Sequence, residues 1–334
     1  MKSFYKYIVA LTLIMPFAAC NDEWEEELFT NMVSFKAPIG SEGVTEVYLR
    51  YKKDGEVEYN LPVIVSGTQE NQKDLNVQVE VDNDTLNIFN QGKYQYRTDL
   101  YFKQLPAQFF ELPAGPCFIP KGSHTANHKI KFKFFNLDLV ERWVLPLTIK
   151  DDPSYAVNYR KGWRKALLYV KPFNDYSGSY SATSMNIVFD SDTEPKTMVM
   201  STKNAWVVDE NTVFFYAGMV EERSEERGDY KILMRFGEPI ENADGSRTGA
   251  LTVQAENPAI NFELLSQPTY QIKKVVDPTL PYLVSEYTTV NIKYKYNDIT
   301  SIPNMPIRYK AEGSMTMERR RNITIPDDDQ AIQW

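Results

Sequence analysis

Alternation is the feature that most restricts what this chain can fold into. Residues 76–82 read Asn-Val-Gln-Val-Glu-Val-Asp, which puts Val77, Val79 and Val81 on one face of an extended strand. Residues 129–134 repeat the pattern with Ile130, Phe132 and Phe134. A period of two does not fit an amphipathic helix, whose apolar positions recur every three to four residues. Residues 59–66 and 143–149 are denser apolar runs, the pattern of strands covered on both faces. Pro62 and Pro146 fall inside those runs; having no N–H to donate, each belongs at an edge or a bulge. Residues 165–171 add one more strand. About seven or eight short strands over residues 31–172 predict an antiparallel β-sandwich of immunoglobulin type. The stretch 89–105 is less regular and reads as a short helix or a long loop.

Residues 173–334 continue the all-β pattern. Strands are expected at 178–189, 197–208, 212–220, 230–236, 249–255, 261–276, 282–296 and 307–317. Asp209-Glu-Asn-Thr and Asn242-Ala-Asp-Gly supply turn chemistry between neighbours. About eight sequential strands joined by short turns predict an antiparallel, calycin-like β-barrel, with a second sandwich as the alternative. Such a barrel either holds one small ligand or fills with side chains.

The N-terminus carries an address. Lys2 and Lys6 precede an apolar run, residues 8–19, broken only by Thr12 and ending in small residues before Cys20. Residues 1–19 read as a secretory signal peptide, too short for a membrane span. A Cys at the cleavage position implies a lipoprotein lipidated at Cys20; the alternative is an ordinary signal peptide that happens to contain a Cys. Residues 20–30 form an acidic, self-repelling tether. The net charge of −8 argues against non-specific nucleic-acid binding, so no nucleic acid is expected as a partner. With Cys20 lipidated, Cys117 has no partner and no intrachain disulfide is expected.

Catalytic motifs are missing. His124 and His128 would face one metal on a helix, but Thr125 stands where a zinc protease needs Glu, and Pro120 and Gly122 favour a turn. Cys117 is the only further ligand in prospect, and no metal or cofactor is predicted. There is no Gly-x-Ser-x-Gly elbow and no glycine-rich phosphate loop. Asp327-Asp-Asp reads as a frayed acidic tail, Glu318-Arg-Arg-Arg as a solvated rim, and Asp84-Thr-Leu as a short O-glycosylation motif. Sugar binding uses aromatic faces in loops, ringed by polar groups. Trp206, Tyr270 and Tyr282 are the candidate ligand-binding residues. Tyr159 and Trp163 are expected to pack between the two modules.

Several stretches carry a family resemblance: Asn31-Met-Val-Ser-Phe, Leu61-Pro-Val-Ile-Val-Ser-Gly-Thr, Arg97-Thr-Asp-Leu-Tyr with Leu105-Pro, Ile119-Pro-Lys-Gly and Trp143-Val-Leu-Pro-Leu-Thr-Ile, then Asn174-Asp-Tyr-Ser-Gly-Ser-Tyr. Together they resemble a Bacteroidetes surface lipoprotein family with an immunoglobulin-like N-terminal domain and a C-terminal β-barrel-like domain of unknown function. That N-terminal domain is of the type also found ahead of chitinase-like endo-N-acetylglucosaminidases. The acidic tether after Cys20 resembles the surface-export signal of such lipoproteins. The resemblance implies a non-catalytic lipoprotein of the outer membrane, facing the cell exterior (the periplasmic face being the alternative). It further implies glycan binding as an accessory of a polysaccharide-utilisation system of the SusC/SusD type, with a polysaccharide and an outer-membrane importer complex as partners. The Asp-x-x-Asp-x-Asp-x-Glu pattern of the chitinase-like relatives is missing. The alternative is an adhesin or assembly protein with a protein partner; a third reading is an uncharacterised glycoside hydrolase.

Overall fold

The computed structural model of the chain describes residues 29–191, 196–326 and 330. The signal peptide, Cys20, the tether up to residue 28 and the Asp327-Asp-Asp run lie outside the described residues. The first half contributes β1 (Met32–Phe35), β2 (Thr45–Arg50), β3 (Glu56–Ser66), β4 (Leu75–Val77), β5 (Val79–Val81), helix α1 (Asn83–Tyr94), β6 (Lys103–Gln104), β7 (Phe110–Glu111), β8 (Cys117–Ile119), β9 (Thr125–Lys133), β10 (Trp143–Ile149), β11 (Ala156–Val157) and β12 (Lys165–Phe173). They form two main sheets, β11-β1-β3-β9-β7 and β2-β12-β10-β5, with β6 beside β10. The sheets face each other: Val63, Ile130 and Phe132 of the first share one buried cluster with Leu49, Leu147 and Leu168 of the second. Ile130, Phe132 and Phe134 point inward, as their spacing requires.

Three local expectations need correction. Residues 76–82 are not one strand: the chain switches partners at Gln78, β4 pairing β8 and β5 pairing β10. The sandwich is not purely antiparallel, because β2 runs parallel to β12 and β11 parallel to β1. For the irregular stretch 89–105 the helix reading holds in its first part, but the helix, α1, starts earlier than expected, at Asn83, and ends at Tyr94. Asp82 caps it, its carboxylate accepting from the Thr85 N–H at 3.3 Å and from the Thr85 hydroxyl at 2.6 Å. Thr85 is therefore buried and engaged, which conflicts with a glycan on its oxygen.

The two prolines show how a strand tolerates them. Both β3 and β10 have neighbours on both sides, yet each proline sits one position past the end of a neighbouring ladder. The Pro62 carbonyl accepts from Lys36, just beyond β1, and the Pro146 carbonyl from Asp82, just beyond β5. In an antiparallel pair a residue's N and O face the same neighbour, so the missing N–H costs only the return bond at the end of each ladder and leaves the interior bonds intact.

The second half contributes β13 (Gly178–Phe189), β14 (Thr202–Val207), β15 (Thr212–Tyr216), β16 (Lys231–Phe236), β17 (Ile240–Glu241), β18 (Arg247–Ala255), β19 (Glu263–Leu264), β20 (Thr269–Val276), β21 (Leu283–Asp298) and β22 (Ile307–Asn322). Eight of these close an antiparallel barrel in chain order, β13-β14-β15-β16-β18-β20-β21-β22, with β22 returning to pair β13. Closure leaves the long strands without a free edge. The lumen is filled by Tyr180, Tyr270, Tyr294 and Tyr296, each at most 2% exposed, with Met234, Phe236 and Met315. The tyrosine hydroxyls find partners inside: Tyr180 donates to the Tyr176 carbonyl at 2.7 Å, and Tyr294 accepts the Gly218 N–H at 2.9 Å. The internal cavity beside Lys203 and Tyr294 measures about 10 Å³, room for about one water.

The outer wall of the barrel packs on the sandwich. Phe214 and Tyr216 of β15 join the sandwich's own buried cluster. The link between the halves is held by Asn174, which is 2% exposed. Its side-chain oxygen accepts the N–H groups of Tyr176 and Ser177 at 2.9 and 2.8 Å, and its NH₂ donates to the Asp209 carbonyl at 2.8 Å. Arg319 is buried and donates to the carbonyls of Asn174 (2.7 Å) and Ser177. Arg50 and Arg321 converge on Asp175 at 2.9 and 2.6 Å. Within the Glu318-Arg-Arg-Arg run, Arg319 and Arg321 clasp the link, while Glu318 and Arg320, the latter paired with Asp277 at 2.7 Å, stay on the surface as a solvated rim would. Tyr159 and Trp163 do not pack between the halves but stand 77% and 43% exposed.

Candidate functional site

Strand β14 alternates sharply. Lys203 and Ala205 turn inward, Asn204 and Trp206 turn toward the sandwich, and Val207 at the end of the strand is buried in the sandwich's cluster. Trp206 stands opposite Phe214 in the β14–β15 ladder, so both rings share the outer face. Where this wall meets the sandwich, a cleft of about 160 Å³ remains open between them. Trp206, Glu222, Arg223 and Arg227 line it from the barrel side; Glu42, Arg142, Tyr169 and Lys171 line it from the sandwich. It admits several waters or part of a larger ligand.

The polar groups of this cleft are held in place. The Trp206 indole N–H donates to both oxygens of Glu222, at 3.2 Å each. Burial pushes the Glu222 carboxyl above the usual carboxylate range. Glu42 is shifted the opposite way, foremost by its hydrogen bond from Lys93 at 2.7 Å, with Arg142 at 3.2 Å beside it. The Arg142 guanidinium lies 3.9 Å from the centroid of the Phe102 ring and also donates to the Leu100 carbonyl at 3.1 Å. Lys171 pairs with Glu46 at 3.0 Å and sits 4.9 Å over Tyr169. Arg227 donates to the Val140 carbonyl at 3.2 and 3.1 Å, tying the barrel loop to the sandwich.

Behind the cleft, Lys203 points into the barrel. Its ammonium donates to the Val220 carbonyl at 2.8 Å, and burial lowers its pKa to about 7. The acceptor belongs to the segment that carries Glu222 and Arg223.

Of the three aromatic candidates, the cleft contains Trp206 and neither tyrosine. Tyr270 is a correction: it lies on β20 rather than in a loop, is 1% exposed, and donates its hydroxyl to the Gly237 carbonyl. Gly249 stands opposite it in the ladder, and a Cβ there would come within 2.4 Å of the Tyr270 ring. The neighbouring Pro268 suggested a turn, but the ring is a lumen filler. Tyr282 is in the turn before β21, 42% exposed beside Leu280 and Ile323, and its carbonyl accepts the Ile323 N–H at 2.9 Å.

The histidines are arranged by a strand, not a helix. His124 precedes β9 and His128 lies on it, so four extended residues separate them by roughly 13 Å, too far for one ion. His128 is buried and its pKa is lowered by that burial; Cys117 is buried with its thiol pushed up to about 11. Among the described residues no group of three or more His, Cys, Asp or Glu is placed to hold a metal. Arg142, Tyr169, Lys171, Glu222 and Arg223 were not singled out by sequence. They come from three separate places, Arg142 before β10, Tyr169 and Lys171 on β12, and Glu222 and Arg223 in one barrel loop, and the inward position of Lys203 in the alternation of β14 is the one signal that could have pointed to an unusual site.

Residues 24–153 match the family model of a domain of unknown function, DUF4973, and residues 164–316 match a second model described as a C-terminal domain. Among solved structures, a Bacteroides ovatus protein of unknown function is 40% identical, covering 91% of this chain and 100% of its own, with a TM-score of 0.80. A Bacteroides ovatus multidomain protein including DUF1735 is 39% identical, covering 90% and 99%, with a TM-score of 0.79. An auxiliary nutrient binding protein from Bacteroides thetaiotaomicron is 36% identical, covering 90% and 98%, with a TM-score of 0.77. No curated protein matches the chain.

Proposed function

The chain belongs to the family of Bacteroides proteins that these structures represent, with a DUF4973 domain on its N-terminal side, and on that premise we propose that it is a non-catalytic glycan-binding lipoprotein. In this reading Cys20 carries the lipid, the protein faces the exterior of the outer membrane, and it serves as an accessory of a SusC/SusD-type polysaccharide-utilisation system. The sandwich is immunoglobulin-like in the same reading. The observation that carries it is the cleft between sandwich and barrel, where the Trp206 ring lies among fixed polar groups. An aromatic face against a pyranose, with hydrogen-bonding groups around it, is the arrangement sugars require. The nutrient-binding name of one relative supports it, and so does the filled barrel lumen, which leaves the outer surface as the place for a ligand of polysaccharide size.

A panel of polysaccharides titrated against the chain from residue 21 onward tests this. At least one is expected to bind, with Trp206→Ala weakening it about ten-fold or more while the circular dichroism stays native. No binding across the panel sinks the proposal. One observation favours the adhesin reading: Leu280, Tyr282, Ile323 and Ile325 are exposed near one another at one end of the barrel.

A further inference from the structure

The charge of the cleft runs against the charge of the chain. The whole sequence carries −8. The cleft is lined by four cations, Arg142, Lys171, Arg223 and Arg227, against two carboxylates, Glu42 and Glu222, so four minus two leaves an excess of two positive charges in the lining, of which Lys171 is paired with Glu46 at 3.0 Å. Those two carboxylates offer little further compensation. Glu42 is already shared by Lys93 at 2.7 Å, Arg142 at 3.2 Å and Arg223 at 4.0 Å. Glu222 is bonded by the neutral Trp206 indole, and burial favours its uncharged form. Arg227 spends its donors on backbone carbonyls. Arg223 is the exposed member: its side chain is 78% accessible and its ion pair with Glu42 is at the outer limit of such contacts. A cleft with an excess of one sign and low-dielectric walls favours ligands of the opposite sign. A guanidinium matches the two oxygens of a carboxylate or sulfate in a single plane.

We propose that the ligand of this cleft is an acidic saccharide, its charged group met by Arg223 at the mouth and its ring lying toward Trp206. This deepens the glycan-binding reading and rests on it. Uronate and sulfate ester share the chemistry that the cleft recognises, and the test separates them.

The chain from residue 21 onward is titrated with polygalacturonate, its methyl-esterified form, a sulfated carrageenan and a neutral galactan. Polygalacturonate or carrageenan is expected to bind, and whichever does identifies carboxylate or sulfate as the group read. If it is polygalacturonate, esterification weakens binding about ten-fold or more. Affinity for the acidic polymer falls several-fold between about 20 and 200 mM salt, as screening requires. Arg223→Gln, an exposed change that leaves the fold intact, weakens it about five-fold and flattens the salt dependence. Salt-independent binding of the neutral galactan, with the acidic polymers no better, overturns this inference and leaves the glycan reading standing. Acidic-polymer binding that is untouched by Arg223→Gln overturns the placement in this cleft. Silence from all four, with binding to other neutral glycans, overturns the acidic class alone; silence from every polysaccharide overturns both readings.

Discussion

At the scale of single residues, the barrel contains a costly feature. Lys203 is buried among methionine and tyrosine side chains, with a backbone carbonyl as its hydrogen-bond acceptor. Its folded pKa, about 7, lies below the roughly 10.4 of a lysine in the unfolded chain. Between those values the unfolded chain binds more protons, so stability rises as pH rises from about 7 toward 10. Below pH 7 the buried charge exerts its full cost; above pH 10 the cost vanishes. Each pKa unit corresponds to about 1.4 kcal/mol, so the full cost is on the order of a few kcal/mol. Lys203→Met is expected to raise stability at pH 6 by about 1–3 kcal/mol, less than that full cost because the Val220 carbonyl loses its donor. Its urea midpoint should also stay flat between pH 7 and 9, where that of the unaltered chain climbs. Parallel midpoints for the two proteins would show that this lysine is not what titrates.

At the scale of elements, the link between sandwich and barrel is a built structure. Asn174 closes a local turn through its own side chain and reaches the β14–β15 turn at Asp209, while Arg319 of β22 occupies its carbonyl. Replacing it with Ala leaves two N–H groups and at least one carbonyl buried without these partners. Asn174→Ala is expected to destabilise the protein by about 2–4 kcal/mol, measured by urea or thermal unfolding. A loss below about 0.5 kcal/mol would mean that water replaces the amide there. The Asn-Asp-Tyr-Ser-Gly-Ser-Tyr stretch was visible in the sequence as the opening of the second half, but not as a clasp. An amide's role depends on which groups come within hydrogen-bond reach of it: its NH₂ donates to the carbonyls of Asp209 and Thr212, 35 and 38 positions away, and Arg319, 145 positions away, donates to its backbone carbonyl.

At the scale of the whole molecule, the two halves share buried surface: Phe214 and Tyr216 of the barrel sit in the cluster formed by the sandwich sheets. The cleft is a gap in that shared surface, so its geometry depends on both halves at once. The lipid-anchor proposal belongs to this scale as well. If Cys20 carries acyl chains, Cys20→Ser moves the protein from the membrane fraction to the soluble fraction, because one change removes the entire hydrocarbon contribution of about 0.8 kcal/mol per methylene. An unchanged membrane fraction would point to another mode of attachment.

What the sequence by itself determined was strand character and closure. Alternating apolar residues choose a face wherever one side of a sheet is buried, because a one-residue slip would expose the entire set, and Ile130, Phe132 and Phe134 lie inward accordingly. Sequential strands with short turns implied an up-and-down barrel, and β13 to β22 close one in chain order. Only the tertiary structure decided the site. Tyr270, placed by its neighbouring proline in a loop, fills the lumen because Gly249 across the ladder leaves room for its ring. Trp206 faces the sandwich because the barrel wall turns that side outward, and it is met by Arg142 of the sandwich and by the adjacent Glu222 and Arg223 of a barrel loop, two segments far apart in the chain. Period and turn chemistry are local properties of a chain. A cleft is set by which walls come together, and the pairing of the outer face of β14 and β15 with the sandwich is written in no single stretch of residues.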